Sequence, residues 1–512
     1  MPITTFAAID VGSNELAMKI FEVSKKYGIN ELDHVRHTIE LGSQTYTCGK
    51  ISHEMVNEMV DVLNGFSRKM KEYRVCDYLA CATSGIREAS NNVMILDQIR
   101  LRCNLNIKIL SNSEQRFLCY KALALKEDVF NKIIQKGTAI LDVGAGSIQI
   151  SLFDKESLVS TQNIKLGSLR IREILSDMEN QTTNFNSLIS EYIDNDLLTY
   201  KNLFLKENKI KHIIAVGDQL SELNRYINKK NFEDFIEKNE FKELFDILSN
   251  KSVDEISLEL NISKEQASLV LPTAMIYHKM FSETKAEFMW LSSITLCDGI
   301  VAEYAQKKEK ITPSHDFTND ILLAARNIAE RYHCNIAHTK NVEYLALSLF
   351  DSIKKLHGLG KRERLYLQIA VILHNCGEYI NMNKTLDNSY KIVMSTEIIG
   401  ISHQERILIA NLVRYNTTIF PKFDPKNDGF DENSYIILSK LTAILRIANA
   451  LDKSHKQKFS NIKVTLKDNK LLITADTLKD ITLEKGLFLK KADFFEEVYG
   501  IRPILKQKRS IT

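Results

Sequence analysis

No stretch of this 512-residue sequence is apolar over the ~20 residues that a membrane-crossing helix needs, so a membrane-spanning protein is not expected. The N-terminus, MPITTFAAID, has no basic segment ahead of its apolar stretch. That argues against a secretory signal, and the segment reads as the start of a buried strand. The eight cysteines (Cys48, Cys76, Cys81, Cys103, Cys119, Cys297, Cys334 and Cys376) form no C-x-x-C pair, which excludes zinc-ribbon and thioredoxin-like sites. Scattered thiols suit a reducing compartment, and the cytoplasm is the expected location. No G-x-x-x-x-G-K-[ST] occurs, so there is no P-loop.

What is present is ordinary globular composition, 44% hydrophobic and 26% charged. At roughly 100–200 residues per domain, the length predicts three or four domains. The net charge of +3 is unevenly spread. Residues 453–512 hold 14 Lys+Arg against 7 Asp+Glu, which leaves about −4 on the remainder. A basic tail on a near-neutral body fits either a polyanionic partner or a lysine-rich solvated surface.

The first 125 residues alternate strand and helix patterns. FAAIDVG, LAMKIFEV, DYLACAT and NIKIL read as strands, and 53–73 has helical spacing at Val56, Met59, Val60 and Leu63. A second block runs from GTAILDVGAGS to about Ala305 and closes on SSITLCDGIVAEYA, read as strand, turn and helix. Polar residues 306–319 read as a linker, and 320 to about 451 as helical. NIKVTLKDNKLLITAD predicts a hairpin turning at Asp468-Asn469, and KKADFFEEVYG a helix ended by Gly500. One internal echo organises the first half. IDVGSNELAMKIF (9–21) overlays LDVGAGSIQISLF (141–153) without gaps at an offset of 132, which implies two similar domains facing each other.

Backbone N–H groups of such Gly/Ser turns converge on phosphate oxygens. The aspartates just before the turns, Asp10 and Asp142, are candidate Mg²⁺ ligands. Gly144-Ala145-Gly146 supplies G-x-G, but Gln149 stands where a dinucleotide fingerprint needs glycine, and Ile148, Ile150 and Leu152 alternate as in a strand. Arg87 sits where a helix begins after a buried strand, as an anion clamp or as a surface ion-pair partner. Ser111-x-x-Glu114 fits a capping box, in which Glu114 closes the helix end, and this is the favoured reading of the residues alone; the functional alternative makes Glu114 a base that positions a water.

Five motifs occur in one order: D-x-G-S-N at 10–14, A-T-x-x-x-R-E-A at 82–89, S-x-x-E-Q at 111–115, D-x-G-x-G-S at 142–147 and L-G-S-L-R at 166–170. Together they resemble the exopolyphosphatase / guanosine pentaphosphate phosphohydrolase family. HGLGKRERLYLQIAVILHNCGEYIN, IANLVRYN and LRIANALDKSH resemble its HD-like helical domain, so the resemblance covers nearly the whole chain. It implies an α/β plus all-α architecture: a duplicated actin-like (sugar-kinase/ATPase-like, ribonuclease H-like) half at 1–125 and 126–305, a helical HD-like domain at 320–457, and a small basic α+β domain at 458–512. It also implies Mg²⁺-dependent release of terminal orthophosphate from inorganic polyphosphate. By position Glu114 matches the catalytic glutamate, Arg87 the motif arginine and Asp142 a metal-site carboxylate. Gly12, Ser13, Asn14, Gly144, Ala145, Gly146 and Ser147 match the phosphate loops.

The departures are specific. Ala145 replaces a glycine, and Gln149 replaces the family's second acid. Glu15 stands where a small polar residue is usual, Arg116 comes one place early, and AVGDQLSELN (215–224) lacks the small residues of its loop. Gln149 can bond a water but cannot take its proton, so turnover slower than in a two-acid relative is expected, or binding without turnover. The alternatives are therefore a guanosine pentaphosphate 5′-phosphohydrolase and a sensor that binds polyphosphate or guanosine penta/tetraphosphate. A sugar or acetate kinase is less favoured, because no loop to seat adenosine is evident. In the helical part His374 is followed by Asn375, NLVRYN ends in Asn416, and His338, His357, His403 and His455 look scattered. No metal is expected there. A homodimer is expected; membrane and specific nucleic-acid partners are not.

Overall fold

The computed structural model describes residues 3–125, 127–179, 181–182, 184–205, 210–217, 223, 235–313, 315, 317–424, 431–459, 461–467 and 470–508. The chain divides after Asp320 into two compact units.

The first unit holds two sheets. β1 (Thr4–Val11), β2 (Glu15–Ser24), β3 (Gly28–Thr38), β4 (Asp77–Ala82) and β5 (Ile107–Ile109) lie in the order β3-β2-β1-β4-β5. β6 (Thr138–Val143), β7 (Ile148–Asp154), β8 (Ser157–Ile164), β9 (His212–Val216), β10 (Phe235–Glu237) and β11 (Phe288–Leu291) lie in the order β10-β11-β9-β6-β7-β8. β1 and β6 are central and buried on both faces, hence their unbroken apolar runs. β3 escapes the sequence reading because GINELDHVRHT is largely polar. It is recruited by its ladder to β2, from Glu15↔Thr38 to Ser24↔Gly28.

The two sheets repeat one plan. In each, an antiparallel meander of three strands is extended by a parallel strand beside the first. Asp10 pairs with Ala17 in one, and Asp142 with Gln149 in the other. Gly12 N–H donates to the Glu15 carbonyl at 2.9 Å, and Gly144 N–H to the Ser147 carbonyl at 3.0 Å. Every one of these positions keeps the 132-residue offset.

The segment read as strand, turn and helix needs correction. β11 ends at Leu291, residues 292–295 are irregular, and the helix is Leu296–Lys308. That helix packs on β1 and β2, not on the second sheet. Lys19 Nζ meets Asp298 at 3.0 Å, Cys297 Sγ lies 3.5 Å from the Ala8 carbonyl, and Tyr304 stacks on Phe6 with centroids 4.0 Å apart. A boundary near 305 therefore puts this helix with the wrong sheet. The residues read as a linker begin inside it, and the next helix starts at Phe317.

In the second unit the helices Ile336–Ser352, Lys361–Leu373, His403–Arg414 and Glu432–Ala450 pack together. β12 (Ile462–Lys467), β13 (Lys470–Asp476) and β14 (Pro503–Lys508) form a small sheet in that order. The expected turn at 468–469 lies outside the described residues. The helix Thr482–Tyr499 ends at Gly500, whose φ of +66° is the left-handed cap glycine adopts freely. No helix among the described residues is long and apolar enough to cross a membrane.

Glu405 gives this unit a defined acid sensitivity. Burial alone would raise its carboxyl, but bonds from Arg362 (2.7 Å from both Nε and Nη2) and Tyr366 (2.5 Å) outweigh that and hold it down to about 2. Its contribution is present above the unfolded value of 4.5 and is lost as pH falls toward 2. Acid titration of thermal stability from pH 5 to 2 should cost the wild type about 3 kcal/mol more than Glu405→Gln.

Candidate active site

Both hairpin turns face one cleft. Asp10, Gly12, Ser13, Asn14 and Glu15 come from the first turn, and Asp142, Gly144, Ala145, Gly146, Ser147 and Gln149 from the second. Thr83, Ser84 and Gln115 complete its wall. The structure thus brings together every residue read as phosphate- or metal-binding.

The carboxylates are unequal. Glu15 is bound by Arg36, with Nη2 at 2.6 Å, so its charge is spent inside the protein. Asp10 and Asp142 are buried at equivalent strand ends, at 5% and 6% exposure. Asn14 Oδ1 is buried with no hydrogen-bond partner among the described residues. Two carboxylates and an amide oxygen make an all-oxygen donor set, which fits Mg²⁺ completed by substrate phosphates and water.

A cross-lobe network that the sequence reading missed seals one side. The Tyr46 hydroxyl donates to Ser13 Oγ at 2.7 Å and lies 3.0 Å from Ser84 Oγ. Burial holds that hydroxyl above its ordinary value, so it stays protonated. Arg170 stacks on the Tyr46 ring at 3.9 Å, donates to the Gly146 carbonyl at 2.7 Å and pairs with Glu88 at 2.9 Å. A β-carbon on Gly146 would sit 2.0 Å from the Tyr46 hydroxyl oxygen, so the closed lobes need glycine there. Four of the motifs quoted above supply Ser13, Ser84, Glu88, Gly146 and Arg170 to this network, and Tyr46 lies in none of them.

Two expected residues are not brought to the cleft wall. Arg87 donates to the Leu110 carbonyl at 2.6 Å and to Asn112 Oδ1, bracing the turn into the helix Asn112–Ala124. Glu114 closes that helix. Its Oε2 accepts from Ser111 N–H at 3.0 Å and Ser111 Oγ at 2.9 Å, and its Oε1 accepts from Lys108 Nζ at 2.7 Å. Both oxygens are thus taken by a capping box and a lysine, and Glu114 is not among the residues lining the cleft. The next residue, Gln115, lines the cleft, and its amide makes no hydrogen bond among the described residues. Gln149 accepts from the fully buried Arg116, Nε to Oε1, at 2.9 Å.

Comparison with known proteins gives the family and the fold. The profile of the Ppx/GppA phosphatase family matches residues 20–308, and that of Ppx/GppA phosphatase, domain III, matches 323–491. The chain belongs to the Ppx/GppA phosphatase family. A relative named guanosine-5′-triphosphate,3′-diphosphate pyrophosphatase, from Photobacterium profundum, is 20% identical over 479 residues, covering 92% of this chain and 91% of its own. A solved exopolyphosphatase from Cytophaga hutchinsonii ATCC 33406 shares the fold at TM-score 0.52 and 17% identity, covering 59% of this chain and 97% of that one. A Ppx/GppA family member from Aquifex aeolicus does so at 0.50 and 17%, covering 60% and 99%.

Two details of this Ppx/GppA member remain. In the loop read as altered, residues 218–222 and 224 lie outside the described residues. In the second unit the histidines are less scattered than they looked. His338 Nδ1 is 2.8 Å from Asp452 Oδ2, its Nε2 is 3.3 Å from His374 Nε2, and its ring stacks on His455 at 3.8 Å. His357 stands apart, bonded to the Phe350 carbonyl at 2.8 Å. Among the described residues no group of three or more His, Cys, Asp or Glu is arranged to hold a metal.

Proposed function

We propose that this chain binds the terminal phosphoryl groups of inorganic polyphosphate in its inter-lobe cleft and hydrolyses the last anhydride bond slowly. The observation that carries the reading is the pair of hairpin turns, identical in register at an offset of 132, converging on one cleft with a buried aspartate at each strand end. The turn N–H groups and the Ser13 and Ser84 hydroxyls suit phosphate oxygens. Asp10 and Asp142 would hold Mg²⁺, which neutralises charge on the phosphate oxygens when bound. Gln115 offers its amide oxygen to a water. Attack of that water on the terminal phosphorus breaks the P–O–P bond and yields orthophosphate, a chain shorter by one unit and a proton released to solvent. Phosphoryl transfer depends mainly on positioning and electrostatics, and a glutamine can orient the nucleophile.

The test is orthophosphate release from polyphosphate, with and without Mg²⁺. Release should depend on Mg²⁺ and fall at least about tenfold in Asp142→Asn. Release indifferent to both refutes the reading. Guanosine pentaphosphate presents the same terminal group and is the relative's namesake substrate class; parallel assays rank the two. A second reading, a receptor that turns over little, is favoured by one observation: both amides on the cleft wall, Gln115 and Gln149, are neutral.

A further inference from the structure

The orientation of Gln149 sharpens that second observation. Arg116 offers only donors, so the atom it bonds on Gln149 must be the amide oxygen. Arg116 is fully buried, and its Nη2 also reaches the Gln162 carbonyl at 3.4 Å, so the guanidinium is fixed. That bond turns the oxygen of Gln149 toward Arg116. What the side chain has left to offer is its NH₂ group, which makes no hydrogen bond to any described residue. A carboxylate at this position would accept a hydrogen bond from a water; this amide donates. Gln149 lies opposite Asp142 in the β6–β7 ladder, beside the proposed metal carboxylate and the second phosphate turn.

We infer that Gln149 grips an oxygen of the terminal phosphate as a hydrogen-bond donor, that Arg116 is the positioning residue which fixes it in that sense, and that the cleft thereby retains a phosphoanhydride instead of activating water at this point. The inference rests on the cleft being a phosphoanhydride site, as proposed above. It differs from a lost acid: restoring the acid should harm binding without restoring the rate. A glutamate at 149 would satisfy Arg116 but remove the donor and set a second carboxylate beside Asp142.

The experiment is calorimetric titration of the full chain with inorganic tripolyphosphate in Mg²⁺, paired with orthophosphate release. Gln149→Met and Gln149→Glu should each weaken binding about tenfold or more, as loss of a charge-assisted bond predicts, and neither should raise release. Arg116→Lys, which keeps a donor to the amide oxygen, should bind more tightly than Arg116→Met. Unchanged affinity in the Gln149 variants, or release more than tenfold faster in Gln149→Glu, overturns the inference and leaves the proposed function standing. Wild-type chain that fails to bind tripolyphosphate overturns the proposed function itself.

Discussion

Gln115→Glu is expected to raise orthophosphate release from Mg²⁺-polyphosphate by about a hundredfold or more. The side chain lines the cleft on the first turn of the helix Asn112–Ala124, and the capping box fixes that turn. Its amide can orient a water but takes no proton from it near neutrality. A carboxylate in the same place does both, and general-base assistance typically contributes 10²–10⁴-fold. The neighbouring carboxylate supplies the control. Glu114→Ala removes an acid too, yet it should lower stability by about 1 kcal/mol, as a lost helix cap does, and leave the rate unchanged. Initial rates at saturating substrate distinguish the two positions. A Gln115→Glu rate within a few-fold of wild type, with binding intact, would mean that water does not approach from this side.

The second large effect lies in the other unit. Asp452→Ala should destabilise it by about 3–5 kcal/mol, because it strands a buried partner. His374 Nδ1 faces the Val371 carbonyl at 2.7 Å and must donate. Burial, with His338 beside it, drives His374 down to about 3, so it is neutral and its Nε2 accepts. His338 Nε2 must then donate to His374, and its Nδ1 shares a proton with Asp452 Oδ2. Asp452 Oδ1 in turn accepts from Gln457 N–H at 2.8 Å. All three ring and carboxylate groups are fully buried. Thermal unfolding should drop by about 10 °C in Asp452→Ala, at 2–4 °C per kcal/mol for a unit of this size. Asp452→Asn, which keeps an acceptor, should recover part of the loss. A change below 1 kcal/mol would show that the chain of bonds is dispensable.

These two cases mark what was legible in the sequence. The 132-residue echo was legible because a hairpin at a strand end is local: the same few residues set the turn, the register and the aspartate. Glu114 was ambiguous for the same reason, since S-x-x-E is itself a local device and the local use prevailed. The one-residue shift to Gln115 comes from how the helix is rotated once capped, which no spacing rule prints. Tyr46 and Arg170 meet only when two lobes close, and His338, His374 and Asp452 converge from three separate helical segments, so neither cluster has a sequence period. β3 was missed because GINELDHVRHT is polar along both faces and none of its residues is fully buried, so no apolar alternation marks it.

The helix Leu296–Lys308 has a consequence for how the molecule is made. The first sheet lacks part of its cover until the chain has passed through the whole second sheet and returned. Phe6, stacked on Tyr304, stays uncovered throughout that interval. A ribosome adding ~5–20 residues per second therefore leaves the first lobe unfinished for about 15 seconds or more after β1 emerges. The duplicated halves are twins in plan but not in independence: the earlier one is closed by the helix that follows the last strand of the later one, so residues 1–125 cannot be cut out as a self-sufficient piece.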